Sequence, residues 1–302
     1  MKKIESILVG VDYSQNSENA LREASRIANW NNARLHCLHV LEEEPLGEFR
    51  KNKMFDEPGV LAAAEYHLEN VVARTVGAGH DIRCHVKIGH PFKEIVAAIE
   101  AEDIDLVVLG SHGFNTTTAS RTGVFASRCV RKAPTDVLLV RERQIEPFRN
   151  VVACVDFSDN SIRAAHRAAE IAEQDKAALE LFHVYRSPIY AASDAGGVGP
   201  LLPPSDTAEI IASLRDKLER LAEKVSDRCG GYEIHAAVRE QVGVSDGIVQ
   251  RLKELGADLV VLGTRGRTGI KKLLMGTTAE HLIHDSPCSA LAVKPEGYRY
   301  VL

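Results

Sequence analysis

The sequence contains one pattern twice, and this repeat limits the chain to folds that can be built from two similar halves. The segment Asp105–Gly110 reads Asp-Leu-Val-Val-Leu-Gly, and the same six residues recur at Asp258–Gly263. Asp12 and Asp156, each directly after an apolar run, also correspond, at a separation of 144 residues. A chain of 302 residues has room for two domains with a core each. The predicted domains are residues 1–145 and residues 146–302.

Each half alternates five apolar, strand-like runs with four segments of helical spacing. Strands that are apolar throughout are typical of parallel sheets buried on both faces, and parallel strands need crossover connections, which are usually helices. We therefore predict an α/β fold in which each half is a five-stranded parallel sheet sandwiched by four helices. In the second half the predicted strands cover residues 151–155, 179–184, 234–238, 258–263 and 290–293, and its longest predicted helix covers residues 207–225.

A glycine-rich loop follows the fourth predicted strand of the second half. Its glycines are Gly263, Gly266 and Gly276, and a segment of helical spacing begins directly after it. Glycine permits positive φ angles and a close approach of the main chain to a ligand, while the start of a helix offers unpaired N–H groups and a positive dipole end. This geometry suits a phosphate chain. A plain glycine-rich turn with solvated cations is the alternative.

The residues around Gly276 predict how that helix begins. Thr277 and Glu280 have capping-box spacing, which would place Thr277 at the N-cap and leave the hydroxyl of Thr278 for a ligand. Four cations in the same loop would add a local positive field that attracts an anion. These cations are Arg265, Arg267, Lys271 and Lys272. The loop has neither the Gly-Lys-Ser/Thr ending of a Walker A motif nor a GxGxxG pattern.

The loop matches the spacing Gly-x2-Gly-x9-Gly-Ser/Thr and resembles the ATP-binding motif of the universal stress protein family. The openings Val-Asp-Tyr-Ser at 11–14 and Val-Asp-Phe-Ser at 155–158, and the ending Pro-Cys-Ser-Ala-Leu-Ala-Val at 287–293, are similar to the same family. The resemblance covers nearly the whole chain, as a tandem protein. It implies two domains with the adenine nucleotide alpha hydrolase-like fold.

The resemblance also implies a nucleotide site in the second half, holding ATP with or without Mg²⁺. It assigns Asp156 to the nucleoside, the main chain of Val184 to adenine, and the glycines with Thr277 and Thr278 to the phosphates. A cap on the following helix is the alternative role for Asp156. The predicted nucleotide-binding residues are Val155, Asp156, Val184, Leu262, Gly263, Arg265, Gly266, Gly276, Thr277 and Thr278.

The first half departs from the motif at one position. It keeps Gly110, Gly113 and Gly123 at the same spacing, but Val124 stands where the motif has Ser or Thr. A missing hydrogen bond to a charged group costs about 1.5–3 kcal/mol, or roughly ten- to hundredfold in affinity. We therefore predict that the second half is the main nucleotide site and that the first binds weakly or not at all.

Composition and the remaining motifs restrict the function further. The net charge of −5 argues against a general nucleic-acid binder. No apolar run approaches membrane-spanning length, and Met1-Lys-Lys-Ile-Glu leads directly into a strand pattern, so we expect a cytoplasmic protein without a membrane partner. We predict no catalytic set and no metal site. His281 and His284 lack a further ligand, and His36, His39 and His183 are expected to be packed or edge residues on strands.

The leading hypothesis is an ATP-binding stress-response regulatory protein, in which hydrolysis or autophosphorylation is slow at most. The alternative is a nucleotide-independent scaffold or small-ligand-binding protein. An adenylyl-transferring enzyme would need a substrate site for which the sequence shows no residues. The fifth strands of the two halves are expected to pair with each other, giving an internal pseudo-dimer, and the whole chain is expected to form a homodimer.

Overall fold

The computed structural model describes residues 3–44, 56–77, 82–113, 122–141, 147–186, 204–266 and 275–299. The chain forms two compact units. The first comprises Met1–Ile145 together with Tyr298–Leu302, and the second comprises Glu146–Gly297. Each unit is a parallel α/β structure, which confirms the predicted fold class. Among the described residues, no helix has both the length and the apolar character needed to cross a membrane.

The first unit is a five-stranded parallel sheet in the order β3-β2-β1-β4-β5. Its strands are β1 (Ser6–Gly10), β2 (Arg34–Glu42), β3 (Ile82–Gly89), β4 (Leu106–Gly110) and β5 (Asp136–Val140). Its helices are α1 (Gln15–Asn31), α2 (Glu57–Val76), α3 (Pro91–Ala101) and α4 (Val124–Lys132). The strand order reverses between β1 and β4, which are neighbours although two strands separate them in sequence.

The second unit repeats this arrangement in the order β8-β7-β6-β9-β10, and all neighbouring strands are parallel. Its strands are β6 (Asn150–Cys154), β7 (Ala178–Tyr185), β8 (Ile234–Glu240), β9 (Leu259–Gly263) and β10 (Ser289–Val293). Its helices are α5 (Asp159–Asp175), α6 (Pro204–Arg228), α7 (Val244–Leu255) and α8 (Thr277–Asp285). Its order reverses between β6 and β9.

Continuous apolar runs form the central strands because helices cover both faces of each sheet. Val152 and Ala153 of β6 and Val260 and Val261 of β9 have no exposed surface. Successive side chains of a strand point to opposite faces of the sheet, and both Val152 and Ala153 are buried, so neither face of β6 is open to water. Such strands exclude the alternating polar pattern of a half-exposed sheet, which is the reason that the sequence indicated a parallel fold.

The long helix α6 shows how far the predicted element limits were displaced. It spans Pro204–Arg228, three residues beyond the predicted range of 207–225 at each end. The predicted strands differ less, and β9 starts one residue after the predicted position 258. Helix ends depend on capping contacts that periodicity does not encode, whereas a buried strand ends where its apolar run ends.

Candidate functional site

The second unit has a cavity of about 330 Å³ at the carboxyl ends of β6 and β9. The strand that follows β6 lies on one side of this pair, and the strand that follows β9 lies on the other side. The cavity therefore lies at the topological switch point, where doubly wound folds bind ligands. All ten residues predicted to bind nucleotide line this cavity, and their roles toward a ligand remain predictions. They are Val155, Asp156, Val184, Leu262, Gly263, Arg265, Gly266, Gly276, Thr277 and Thr278.

Asp156 organises the turn between β6 and α5. Its Oδ1 accepts hydrogen bonds from Ser158 N at 3.0 Å and from Ser158 Oγ at 2.5 Å. Ser158 is the N-cap of α5, and its side chain accepts a hydrogen bond from Ser161 N at 3.2 Å. Phe157, between them, has the positive φ of 64° that this tight turn requires. Asp156 therefore supports the helix cap and also lines the cavity, so both roles considered from the sequence are open to it.

Two glycines of the loop allow close packing against the start of α5. A Cβ on Gly263 would lie 2.8 Å from Asn160 Nδ2 and 3.0 Å from the Asn160 carbonyl carbon. A Cβ on Gly266 would lie 2.7 Å from Asp156 Oδ2. Real Cβ contacts are longer, so a larger residue at either position would displace its neighbour. Positions 263 and 266 need glycine because the end of β9 and the loop after it lie close to the β6–α5 turn.

Gly263, Gly266 and Gly276 do not use the positive φ angles that glycine permits. The described glycines with positive φ lie elsewhere, at Gly77, Gly230, Gly231, Gly256 and Gly297. The sequence motif does not distinguish glycine that is needed for its dihedral angles from glycine that is needed for close approach. In this loop the structure supports the second reason at the first two positions.

Gly276 has neither of these reasons to be glycine. It is the N-cap of α8, with φ −72° and ψ 148°, which any residue can adopt. A Cβ there would come no closer than 3.8 Å to another protein atom. Because Gly276 lines the cavity, the missing side chain leaves space beside the first turn of α8. A cradle of this kind, which a Cβ would fill, fits a ligand that contacts the main chain at a helix start.

The predicted capping box at Thr277 and Glu280 is wrong. Helix α8 begins at Thr277, and its N-cap is Gly276, which has no side chain to accept a hydrogen bond from the helix. The loop closes one residue earlier than the motif requires because Gly276 N donates to Thr264 O at 2.9 Å. Thr277 and Thr278 are therefore the first two residues of the helix, and both line the cavity.

Of the four cations predicted to give the loop a positive field, Arg265 is the one that lies among the described residues. Arg265 is partly exposed and lines the cavity beside Gly266. Arg267, Lys271 and Lys272 lie outside the described residues. One guanidinium at the cavity is enough to favour an anionic ligand, and its planar fork matches phosphate oxygens.

The cavity lining also contains apolar residues, some of which the sequence analysis missed. Val184 and Leu262 were predicted to lie there, while Val244 and Ile248 on α7 were not. No motif marks these two residues, although they begin the helix after the third strand, at the edge of the sheet where the cavity lies. Thr264, directly after β9, was also missed.

His183 was predicted to be a packed or edge residue, and it is 9% exposed. Its Nδ1 lies 2.6 Å from Val155 O, and its ring is 4.8 Å from that of Phe157. The histidine lines the cavity while holding the end of β6 in place. It thus connects β7 to the turn that carries Asp156.

Cys154 is the one thiol among the described residues that line this cavity. Burial raises the pKa of the Cys154 thiol, so the group stays protonated at neutral pH. Because the thiolate is the reactive form, Cys154 does not supply a nucleophile. The sole carboxylate among the described lining residues is Asp156, and it could contribute one oxygen ligand to Mg²⁺, which commonly binds one or two carboxylates and the phosphates of a nucleotide.

The first unit has a cavity of about 440 Å³ at the equivalent place, built on the same turn. Asp12 Oδ1 accepts hydrogen bonds from Ser14 N at 3.0 Å and from Ser14 Oγ at 2.6 Å. A Cβ on Gly113 would lie 2.8 Å from Asp12 Oδ2, and one on Gly110 would lie 2.8 Å from the Asn16 carbonyl carbon. The loss of the motif's hydroxyl has therefore not closed the site.

The chemistry of the first cavity differs at the start of α4. Val124 and Phe125 stand where the second unit has Thr277 and Thr278. Both are exposed, Val124 at 88% and Phe125 at 38% of their surface, and both line the cavity. Two side chains without hydrogen-bond donors at this position make the helix start less suitable for phosphate.

The charges around the two cavities differ in the same direction. His112 takes the position of Arg265, so a permanent cation is replaced by an imidazole. Glu42 lines the first cavity together with Asp12, which places two carboxylates there. Among the described lining residues of the first cavity, none is a lysine or an arginine. This set of lining charges is less suited to a triphosphate than the set in the second unit.

One of the two histidines on α8 that were considered as metal ligands lies near a carboxylate. His281 Nε2 lies 3.4 Å from Asp285 Oδ2 on the same helix. A different group of histidines, in the first unit, is considered below.

Comparison with known proteins shows the family. The sequence profile of the universal stress protein family matches twice, at residues 3–141 and 147–294. Universal stress protein E of Photorhabdus laumondii is 26% identical over 328 aligned positions, covering 99% of this chain and 97% of the relative. A universal stress protein of Methanocaldococcus jannaschii is 33% identical over 150 positions, covering 49% of this chain and 82% of the relative.

Solved structures of the same type share the fold over the whole chain. A universal stress protein from Archaeoglobus fulgidus superposes with a TM-score of 0.67 at 19% identity and covers 97% of this chain and 99% of its own. A protein of Pseudomonas aeruginosa described as functionally unknown gives a TM-score of 0.66 at 20% identity and covers 97% and 93%. With two profile matches that together span most of its length, the chain belongs to the universal stress protein family, as a tandem member.

Proposed function

We propose that this chain is an ATP-binding stress-response regulatory protein of the cytoplasm, whose nucleotide is held mainly in the second unit. Family membership supports the stress-response role. The cavity supports the nucleotide. The lining residues support ATP as the nucleotide and the second unit as its place.

One observation carries the proposal: residues from separate parts of the sequence meet at one cavity with complementary chemistry. Val184 and Leu262 supply an apolar surface suited to a base, and Asp156 supplies a carboxylate that can accept hydrogen bonds from a ribose. At the other end, Thr277 and Thr278 supply hydroxyls at the start of α8. Anions are stabilised at helix starts by unpaired N–H groups and the dipole. Groups suited to a base, a sugar and a phosphate chain are therefore all present in one cavity lining.

Slow turnover at most is expected from this site. Phosphoryl transfer usually requires carboxylates that hold the metal and a residue that orients the nucleophile. Asp156 is the one carboxylate among the described lining residues, and Ser158 already occupies its Oδ1. ATP would therefore act mainly by being bound, so that nucleotide state alters the protein's shape or partners.

Equilibrium titration of the full chain with ATP, with and without Mg²⁺, tests the binding. We expect saturable binding that adenosine alone does not match in affinity, because the phosphate contacts are lost. Incubation with labelled ATP tests the regulatory role. Failure to bind ATP would overturn the proposed ligand, and sustained turnover at ordinary enzyme rates would overturn the regulatory reading.

A second candidate, a scaffold or small-ligand-binding protein that does not need nucleotide, is favoured by the first unit. Its cavity is open but is lined by Val124, Phe125 and Glu42 in place of phosphate-binding groups. Mass spectrometry of the protein as purified separates the candidates. Co-purified adenine nucleotide supports the first candidate, and a different small molecule without nucleotide supports the second.

The association of the chain is likewise a proposal. The pairing of the fifth strands as an internal pseudo-dimer, and a homodimer of the whole chain, were predicted from the sequence. Sedimentation analysis of the full chain tests the homodimer. A sedimenting mass near twice 33.0 kDa is the expected result, and a monomer at all concentrations would contradict it.

A further inference from the structure

Two histidines and a glutamate of the first unit meet away from its cavity. His36 is the third residue of β2, His85 lies on the adjacent strand β3, and Glu102 is the C-cap of α3. His36 Nδ1 lies 3.3 Å from His85 Nε2 and 3.9 Å from Glu102 Oε2. One possible ligand atom from each residue lies within 4.8 Å of the others. His36 and Glu102 lie toward the amino ends of the strands, whereas the cavity lies at the carboxyl ends.

The spacing of the two nitrogens matches that of two ligands on one zinc ion. Zinc–nitrogen bonds of about 2.0–2.1 Å at a tetrahedral angle place two nitrogens about 3.3 Å apart. To complete the same geometry, the Glu102 oxygen would need to approach His36 Nδ1 by roughly half an ångström and the His85 nitrogen by at most about 1.4 Å. Its side chain is 30% exposed, which leaves it room to move. The set of two histidines and one carboxylate is one that zinc uses, with a water at the fourth position.

His36 is a costly residue for this place unless something compensates it. Its ring has no exposed surface, and its Nε2 makes no hydrogen bond among the described residues. Burying a polar ring with one hydrogen bond to a second histidine is unfavourable. A metal bond at Nδ1 would replace this weak contact with a stronger one, while Nε2 would stay without a hydrogen bond among the described residues.

The second unit shows what fills the same position in the other copy of the fold. Glu180, which corresponds to His36, accepts two hydrogen bonds from Arg251, at 2.9 Å from Nε and 2.5 Å from Nη2. Arg251 on α7 corresponds to Ala98 on α3. In the second unit the guanidinium of Arg251 therefore provides a cation next to the second strand, and the first unit has an alanine at the equivalent position. Arg83 does approach Glu102, at 3.8 Å, but its side chain is 54% exposed.

We propose that the first unit binds a zinc-like divalent transition-metal ion through His36, His85 and Glu102. The ion takes the place that the Arg251 guanidinium has in the second unit. It links β2, β3 and the end of α3, apart from the nucleotide cavity.

Cobalt titration of the full chain, after dialysis against a chelator, tests the site. Tetrahedral Co²⁺ gives strong visible absorption bands, and we expect these bands to saturate at one ion per chain and to disappear on addition of Zn²⁺. His85→Ala should weaken Co²⁺ binding by at least about 100-fold, since loss of even an outer-shell partner costs about 10–100-fold. His235→Ala, on the corresponding strand β8, is exposed and should leave the bands unchanged.

The double variant His36→Glu with Ala98→Arg provides a second test that does not depend on removing a side chain. It gives the first unit the ion pair of the second and should fold without metal, with an unchanged circular dichroism spectrum and no cobalt bands. The proposal is overturned if wild-type protein gives no tetrahedral bands, or if His85→Ala keeps them at the same affinity while remaining folded.

Discussion

The two units share the turn after their first strands, and their cavities are lined by different chemistry. Asp12 and Asp156 hold the same hydrogen bonds to the serine two residues later, and the glycines that approach them are kept in both copies. At the helix start, by contrast, Thr277 corresponds to Val124. The scaffold of the switch point was retained because packing requires it, whereas the groups that would meet a ligand have diverged.

The two units also differ toward the amino ends of their strands, away from the cavities. The second unit has the ion pair of Glu180 with Arg251, and the first has His36 with His85 and Glu102. In both copies a polar side chain enters a buried position on the second strand, and only its partners differ. Each difference can be tested by giving one unit the residues of the other.

The largest expected effect comes from removing the ion pair of the second unit. Arg251→Ala gives α7 the alanine that α3 has and leaves Glu180, which is 8% exposed, without its partner. Breaking a buried ion pair costs about 3–5 kcal/mol, and because Arg251 is partly exposed we expect about 3 kcal/mol of destabilisation in urea unfolding. Arg74→Ala, whose 67% exposed side chain pairs with Glu18, is the control and should cost less than about 1 kcal/mol. Equal losses would contradict the account.

The next effect concerns the proposed phosphate site. Thr277→Val with Thr278→Phe gives α8 the residues of α4. Losing hydroxyl donors to a charged group costs about 1.5–3 kcal/mol, so ATP affinity should fall roughly ten- to hundredfold. Adenosine, titrated in the same way, is the control and should bind with unchanged affinity. An equal loss for both ligands would show that the threonines do not contact phosphate.

A pair of glycine substitutions separates packing from binding. Gly263→Ala places a Cβ against Asn160 and should destabilise the second unit by about 1–3 kcal/mol. Gly276→Ala meets no protein atom within 3.8 Å, so thermal stability should hold while ATP affinity falls. Calorimetric unfolding and ATP titration of both variants give the two readouts. A folded, ATP-binding Gly276→Ala variant with wild-type affinity would remove the role assigned to this glycine.

The smallest effect is the reciprocal exchange in the first unit. Val124→Thr with Phe125→Thr restores two hydroxyls at the start of α4. ATP binding there should improve by about tenfold at most, because one hydrogen bond to a charged group contributes about 1.5 kcal/mol at the low end and Arg265 is still replaced by His112. The change is measured in the background that already carries Thr277→Val and Thr278→Phe, so that the second unit contributes little.

Much of the fold could be predicted because buried parallel strands are written as continuous apolar runs. Ten residues of the cavity lining could be predicted as a group because the ends of β6 and β9 meet at one edge of the sheet, and their roles toward a ligand stay predictions. The details that the sequence did not predict correctly depend on contacts that a sequence pattern does not encode. Gly263 is small because of Asn160, which lies 103 residues earlier, and the helix start at Thr277 depends on the bond from Gly276 to Thr264.

The sequence analysis did not bring together the three residues of the proposed metal site, for a similar reason. His36 and Glu102 are 66 residues apart, and no spacing rule connects them. They meet because β2 and β3 pair in the register that sets Leu38 opposite His85, and because α3 ends above them. A strand histidine therefore looked like an ordinary packed residue until the sheet was known.

The central claim is that ATP distinguishes the two units, and calorimetric titration of the full chain with ATP tests it most directly. The account predicts one strong site per chain, which the exchange of Thr277 and Thr278 weakens, and at most a second site about ten- to hundredfold weaker. Two sites of equal affinity, or a strong site that survives the exchange, would contradict it.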